Sequence, residues 1–463
     1  MLTIHFMEEG PLYEQIVDHI IQEIATENLA SRERLPSRRQ LAEHLGVSLN
    51  TVIKAYQQLL DEGYIVSRER SGYYVDQLEA EMLRQEKPQS ERATIPVPPV
   101  PAYRYDFSPF AKRPQVMKEG LLRRSMGEAL PQALAIGRVP SGGYGPLRAA
   151  IAQDLWRYRG LPCEPGQVII TNGYQSSLQA LFSLLAKPAM ALEEPGYPRA
   201  CQVLRDLHIP FQAIPLDRYG FSVRALEEST ANGVLTMPNL QFPTTQIMGV
   251  RRRQRLLNWA YERPERFIIE DDYNSEFRFT GRPIPPLMAL DQNERVILLG
   301  SYTQSLGPLL KISYMVLPKS LAKCFKKDGH VMGQASIFDQ CWLATLLRSG
   351  RFSKHLQRLR THYRQVGQAL IKAIKNSTLP VEIFGEGRGL YFILNVHLPN
   401  VTVAAVLQQA KKRGLNLAWL GTYQQDLGQT DLRFVLGFAG LGREEVGAAW
   451  AELEAAFQAA RSA

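Results

Sequence analysis

The chain has 463 residues, too many for one ordinary hydrophobic core, so two or three domains are expected. Hydrophobic residues make up 45% and charged residues 21%, the balance of a soluble globular protein. The formal charge of +9 does not by itself indicate a nucleic-acid binder: residues 1–75 hold seven Lys and Arg against eleven Asp and Glu, which leaves that stretch at −4 and the remainder at +13.

No apolar run approaches the roughly 18 residues that a membrane-spanning helix needs. The opening MLTIHFMEEGPLYEQ has neither a basic start nor a continuous apolar core, so secretion is not expected. Cys163, Cys201, Cys324 and Cys341 are scattered without a Cys-x-x-Cys pair, which argues against a zinc site and a disulfide framework. A cytoplasmic protein is the expectation.

The first predicted element, PLYEQIVDHIIQEIATENL, spaces Ile16, Ile20, Ile21 and Ile24 at helical intervals. PSRRQLAEHLG predicts a second helix, opened by Pro36 and Ser37, burying Leu41, Ala42 and Leu45, and ended by Gly46. SLNTVIKAYQQLLDEG predicts a third, capped by Ser48, burying Val52, Tyr56 and Leu59, and closed at Gly63. YIVSRERSGYYV alternates and turns at Ser71-Gly72, as a two-stranded wing does. Three short helices and a wing make a winged helix-turn-helix.

Its third helix would present Ser48, Asn50, Thr51 and Lys54 to base edges or phosphates. Arg32, Arg34, Arg38 and Arg39 cluster at the second helix, and Arg68 and Arg70 sit on the wing, so an acidic domain can still present a basic edge. A solvated charged face on a helical interaction module is the bland alternative. The run LPSRRQLAEHLGVSLNTVIKAYQQLLDEGY followed by SGYYV resembles the DNA-binding domain of GntR-type repressors, which favours DNA. Leu49 stands where those repressors usually carry arginine.

Next comes EKPQSERATIPVPPVPAYRYDF, whose prolines favour extended chain. The expected division is a DNA-binding domain at residues 1–75, a Pro-rich linker at 76–104 and a large domain at 105–463. In the large domain QVIITNG, MALEEP, GVLTMP, RFIIEDD, RVILLGS and ISYMVLP read as strands alternating with helices. That pattern predicts an α/β domain with a mainly parallel sheet and helices on both faces. Ligands are expected at the C-terminal ends of its strands.

The polar motifs fall at those ends. Gly173-Tyr174-Gln175 joins a strand to a helix start suited to phosphate, though many such turns look alike. EEPGYPRA offers Tyr197 and Arg199, in isolation a structural turn as readily as a site. FIIEDDYNSEFRF places three carboxylates after an apolar strand; Asp271 among them can keep a pyridine nitrogen protonated, and metal binding, the rival, finds no nearby histidine. Arg433 in DLRFVLGFAGL is either a surface-pointing strand residue or a carboxylate clamp.

GYQ, PGYPR, NxQFPT, EDDYNSEF, SYTQSLGPLLKISY and LRFVLGF, in that order, resemble fold-type I aminotransferases, the family that uses pyridoxal phosphate (PLP). With the first domain, the whole chain resembles MocR/GabR-type bacterial regulators. The resemblance implies that Gly173, Tyr174, Gln175, Ser301 and Thr303 hold the cofactor phosphate, that Tyr197 stacks on its ring, and that Asp271 partners its nitrogen. It implies Tyr273 and Asn239 near the phenolic oxygen, and Arg199 and Arg433 on an effector carboxylate. The resemblance implies a homodimer too, arranged head-to-tail, with each small domain crossing to the partner's large domain.

The departures from the family pattern carry as much information. Gln304 stands at the lysine that binds PLP covalently, and Lys311 at a phosphate-binding arginine, a point charge in place of a planar fork. Leu240 replaces a usual histidine, Thr245 a usual glycine, and Arg138 a usual tyrosine. An amide cannot form an imine or shuttle a proton, and losing the general base alone costs roughly 10²–10⁴ in rate. The expectation is therefore a transcriptional regulator, not an enzyme, whose large domain senses PLP held noncovalently, a PLP–amino acid adduct or another carboxylate. The alternatives are an aminotransferase tethered to DNA and a regulator whose empty large domain only dimerises.

Overall fold

The computed structural model describes residues 4, 6, 10–26, 28–68, 71–76, 103–111, 118–281, 284–327, 334–424 and 431–461. The chain divides into two compact units, Met1–Val100 and Pro101–Ala463. Of the expected linker, only Asp76, Tyr103 and Arg104 lie among the described residues. Among those residues no helix is long and apolar enough to cross a membrane.

The first unit holds α1 (Leu12–Ala25), α2 (Arg38–Leu45) and α3 (Leu49–Asp61), followed by antiparallel β1 (Ile65–Arg68) and β2 (Gly72–Val75). Ser37 and Gln40 form a reciprocal capping box at the start of α2, and Gly46 ends it in the left-handed conformation. Ser48 caps α3 by accepting from the Thr51 N–H. Ile16, Ile20 and Ile24 are buried as expected, but Val17 rather than Ile21 completes the stripe. At about 100° per residue Val17 lies nearer the line of the three isoleucines. The Tyr56 hydroxyl donates to the Pro36 carbonyl (2.9 Å), tying α3 to the entry of α2.

In the second unit the six predicted strands are present: β3 (Val168–Thr171), β4 (Met190–Glu194), β7 (Gly233–Thr236), β8 (Phe267–Asp271), β9 (Val296–Ser301) and β10 (Ser313–Val316). Two more, β5 (Phe211–Asp217) and β6 (Gly220–Phe221), complete an eight-stranded sheet ordered β3-β10-β9-β8-β7-β4-β5-β6. The sheet is mainly parallel; β10 runs against both its neighbours and β6 is the return arm of a hairpin. Both faces are covered. Leu298 packs with Leu147, Ile151 and Trp342, whereas its neighbours Ile297 and Leu299 pack with Leu178, Leu181 and Leu204 on the other side. This two-sided burial makes VILLG an unbroken apolar run.

A second, antiparallel sheet of β11 (Val381–Phe384), β12 (Tyr391–Val396), β14 (Arg433–Gly437) and β13 (Ala418–Trp419) packs with the helices Arg351–Lys375 and Val446–Arg461 around one core. Of this sheet, only β14 is legible in the sequence, in DLRFVLGFAGL.

Candidate functional site

On the first unit, Arg38, Arg39, Ser48, Asn50, Lys54 and Arg68 are exposed, and Thr51 is half-buried. Arg38 lies over the ring of Tyr73 (5.6 Å to its centroid) and Arg68 over Tyr74 (4.7 Å). The two wing tyrosines thus shelve the arginines, a role the sequence reading did not assign them. Lys54 Nζ sits 3.7 Å over the Tyr13 ring, which draws it towards α1. The Ser48 and Thr51 hydroxyls bond each other at 2.8 Å, leaving Asn50 the open polar side chain of that turn. Arg70 lies outside the described residues.

On the second unit, the C-terminal ends of β3, β8 and β9 border a cavity of about 520 Å³. It brings together Gly173, Tyr174, Gln175, Tyr197, Arg199, Asp271, Tyr273, Ser301, Thr303, Gln304 and Lys311. Residues separated by up to 138 positions in the chain meet there because parallel strands end on one edge of the sheet.

Strand alternation sorts the three carboxylates. Glu270 accepts from the Leu287 and Met288 N–H groups (2.7 and 3.0 Å). Asp272 pairs with Arg159 (2.7 Å) and accepts from Asn239 Nδ2 (3.0 Å). Asp271 points the other way, into the cavity, and no described residue donates to its carboxylate. Burial first, then the nearby carboxylates of Asp272, Glu193 and Glu270, pushes its carboxyl up to about 8. Glu193, also pushed up by burial, to about 7, accepts from the Thr236 hydroxyl (2.6 Å), the Met237 N–H (3.1 Å) and Gln241 Nε2 (3.2 Å).

The cavity is also lined by the polar groups of the Gly173 and Ser301 turns and by Lys311. Gly173 has φ +87°, a left-handed backbone that calls for glycine, and the Lys311 side chain lies over it, with Cε 2.9 Å from where a Cβ would stand. The helix α4 (Tyr174–Phe182) starts immediately after it with no side-chain cap. Ser301 Oγ donates to Thr303 Oγ1 (2.9 Å) and accepts from the Thr303 N–H (3.1 Å). Lys311 is exposed and makes no ion pair among the described residues, and the Gln304 amide has no hydrogen-bond partner among them.

Two expected members are elsewhere. Asn239 lies in an adjoining narrow cleft, where Asp272 takes its amide N–H and Arg253 Nη2 donates to its oxygen (2.9 Å), so both ends are engaged away from the cavity. Arg433 is paired with Asp431 (3.0 Å) at the start of β14 and does not line the cavity; Arg199 does.

Sequence reading missed an aromatic wall. Phe242 contacts Phe110 (5.4 Å between centroids), Tyr197 (5.8 Å), Tyr391 (5.6 Å) and Tyr423 (4.8 Å). The Tyr273 and Tyr391 hydroxyls bond at 2.7 Å. Phe242 sits inside the NxQFPT motif, but nothing local ties it to Tyr391. The departures are structured as well: Thr245 is buried with φ +62°, and Leu240 is buried.

The cavity suits a flat, anionic, nitrogen-bearing ring. Its lining includes a buried carboxyl without a hydrogen bond, a lysine without an ion pair and an uncapped helix start, and the buried Tyr174 hydroxyl and Ser313 Oγ lack partners among the described residues. No described group of three His, Cys, Asp or Glu residues is placed to hold a metal.

Residues 12–75 match the family described as bacterial regulatory proteins, gntR family. The chain is 34% identical over 457 residues to "Uncharacterized HTH-type transcriptional regulator YdeL" of Bacillus subtilis (strain 168), with 97% of each chain covered. It is 33% identical to "Probable rhizopine catabolism regulatory protein MocR" of Rhizobium meliloti, covering 78% of this chain and 77% of that protein. Among solved structures it is similar to the multiple substrate aminotransferase of Thermococcus profundus, with a TM-score of 0.68 and 21% identity over 78% of this chain and 92% of that one. At that identity the likeness establishes the fold alone.

Proposed function

The chain belongs to the MocR-type helix-turn-helix transcriptional regulators, and from that premise we propose that it binds DNA through residues 1–75 and senses a small ligand in the cavity of residues 105–463, joined by the linker 76–104. Arg38 and Arg39 grip phosphates at the start of α2, Asn50 faces base edges at the start of α3, and Arg68 and Arg70 would add DNA contacts from the wing. A homodimer would present two such readers to two half-sites.

The ligand is PLP held noncovalently, or a conjugate containing it. One observation carries this reading: Asp271 is a buried carboxyl without a hydrogen bond, facing the cavity. With a pKa near 8 it is protonated at neutral pH, and it can give that proton to a ring nitrogen and remain as its counter-ion. Tyr197 would cover the ring, and Tyr273 would approach the phenolic oxygen. Gly173, Tyr174, Gln175, Ser301, Thr303 and Lys311 would hold the phosphate, and Arg199 a carboxylate at the rim.

Bound PLP supplies an electron-withdrawing ring, but an enzyme needs a basic nitrogen to attach it and move protons. Gln304 offers an amide instead, which supports sensing over transamination. The drift at Lys311, Leu240 and Thr245 supports loss of chemistry throughout the site over an isolated change.

The test is coupling between the sites. With duplexes selected for tight binding, fluorescence anisotropy should show PLP, alone or with an amino acid, changing DNA affinity at least severalfold in the parent and not in Asp271→Asn. DNA affinity indifferent to PLP in both proteins would remove the sensing role.

A further inference from the structure

From sequence, the +13 balance outside the first 75 residues is a hint that the linker or large domain also touches DNA, with a solvated surface as the preferred explanation, and part of that charge is gathered in one place. On the large unit, the turn at Asp217–Tyr219, the start of the helix Val250–Tyr261 and the segment carrying Arg388 border an open groove of about 1020 Å³. Six arginines line it: Arg218, Arg224, Arg251, Arg252, Arg255 and Arg388.

Three of these are held by carboxylates. Asp217 grips Arg252 through both oxygens (2.7 and 2.8 Å), Glu228 pairs with Arg224 (3.2 Å) and Glu227 with Arg255 (2.9 Å). Arg252 also donates to the Gly220 and Phe221 carbonyls, which fixes its guanidinium. No carboxylate among the described residues pairs with Arg218, Arg251 or Arg388. Six arginines against three carboxylates leave the groove at +3. Arg218 lies 4.6 Å over the ring of Tyr219, which is itself 58% exposed. Arg388 donates to the Thr245 carbonyl (3.1 Å), and Arg251 is exposed and open.

Like charges gathered without counter-ions cost free energy unless an anion occupies the groove. Fixed and free guanidiniums contributed by separate segments suit a row of anions better than one small anion, which needs convergent donors. We propose that this groove is a second contact for the phosphate backbone of double-stranded DNA, made by the large domain and independent of base sequence. It rests on the reading of the protein as a DNA binder and adds a surface to it.

The experiment measures anisotropy of a mixed-sequence duplex, several helical turns long, over a series of salt concentrations. The full-length proteins are the parent, Arg218→Ala/Arg251→Ala/Arg388→Ala, Arg38→Ala/Arg39→Ala, the combination, and a control Lys372→Ala/Lys411→Ala/Lys412→Ala that removes equal charge from exposed helix positions. Each lost phosphate contact lowers the salt slope by about 0.9, so the groove variant should lose about 2.7 with either first-domain background. Arg251→Ala alone, at an exposed unpaired position, should lose about 0.9 and keep the parent's melting temperature.

An unchanged slope in the groove variants, or an equal fall in the lysine control, overturns the groove. So does inorganic phosphate saturating it in the parent at concentrations that leave duplex binding unaltered. If Arg38→Ala/Arg39→Ala changes nothing while the groove variants do, the groove stands and the winged-helix reading fails instead.

Discussion

The DNA-reading face and the ligand cavity are built on opposite plans. The face is local: its caps, its arginines and the tyrosines that shelve them all lie between Arg32 and Val75. The cavity draws on segments from Pro109 to Tyr391 and closes only when strands far apart in sequence end on one sheet edge. A face of separate phosphate contacts degrades gradually, so a change such as Leu49 is expected to alter sequence preference before it abolishes binding. Chemistry in a cavity hangs on single atoms, so on the proposed reading an amide at Gln304 is enough to forgo it while the surrounding walls still suit a ligand.

The largest predicted effect breaks the face. Arg38→Ala/Arg39→Ala should weaken DNA binding by tenfold or more near physiological salt and lower the salt slope by about 1.8. Mobility shifts over a salt series measure both, and an unchanged slope would place the phosphate contacts elsewhere.

Next is the pole of the cavity. Asp271→Asn should weaken PLP binding by at least about tenfold in calorimetry, since a neutral amide cannot balance a cationic ring nitrogen. It should also stabilise the ligand-free protein, with a specific pH signature. The folded carboxyl titrates near 8 against an ordinary value of 3.8. Between these values the unfolded chain releases a proton that the folded chain keeps, so stability falls as pH rises through that window and levels off above it. The variant loses this fall. Its melting temperature should exceed the parent's above pH 8 or so, with the gap shrinking as pH approaches about 4. A constant gap across that range would mean that Asp271 ionises freely in the fold.

A smaller effect belongs to the phosphate end. Lys311→Ala should weaken PLP by roughly 1–2 kcal/mol, the worth of one charge-assisted contact, with less effect on pyridoxal lacking the phosphate. Equal losses for both ligands would detach Lys311 from the phosphate. Smallest is Thr245→Gly. The left-handed backbone costs a β-branched residue about 1–2 kcal/mol, offset in part by glycine's entropy, so the variant should be more stable by up to about 1 kcal/mol. A clear loss in denaturant unfolding would show that the threonine side chain contributes more by packing.

The same contrast explains what could be read before the fold was known. α2 and α3 announce themselves through Ser37, Gly46 and Ser48, because capping is settled within a turn of helix. The central strands show as apolar runs because helices cover both faces. Asp271 was separable from its neighbours only through alternation along β8, combined with family order. Asn239 misled because its motif fixes the turn but not which way the amide faces; Arg253 and Asp272, 14 and 33 positions on, decide that. Phe110, Tyr391 and the apposition of Lys311 over Gly173 left no local trace, since each depends on contacts between remote segments.

The most direct test of a noncovalent ligand site is a PLP titration of the parent protein and of Gln304→Lys, followed by calorimetry and visible absorbance. The account predicts heat of binding in both proteins, with the absorbance of lysine-bound cofactor in Gln304→Lys alone. No binding in either would contradict it and leave the large domain without a PLP site.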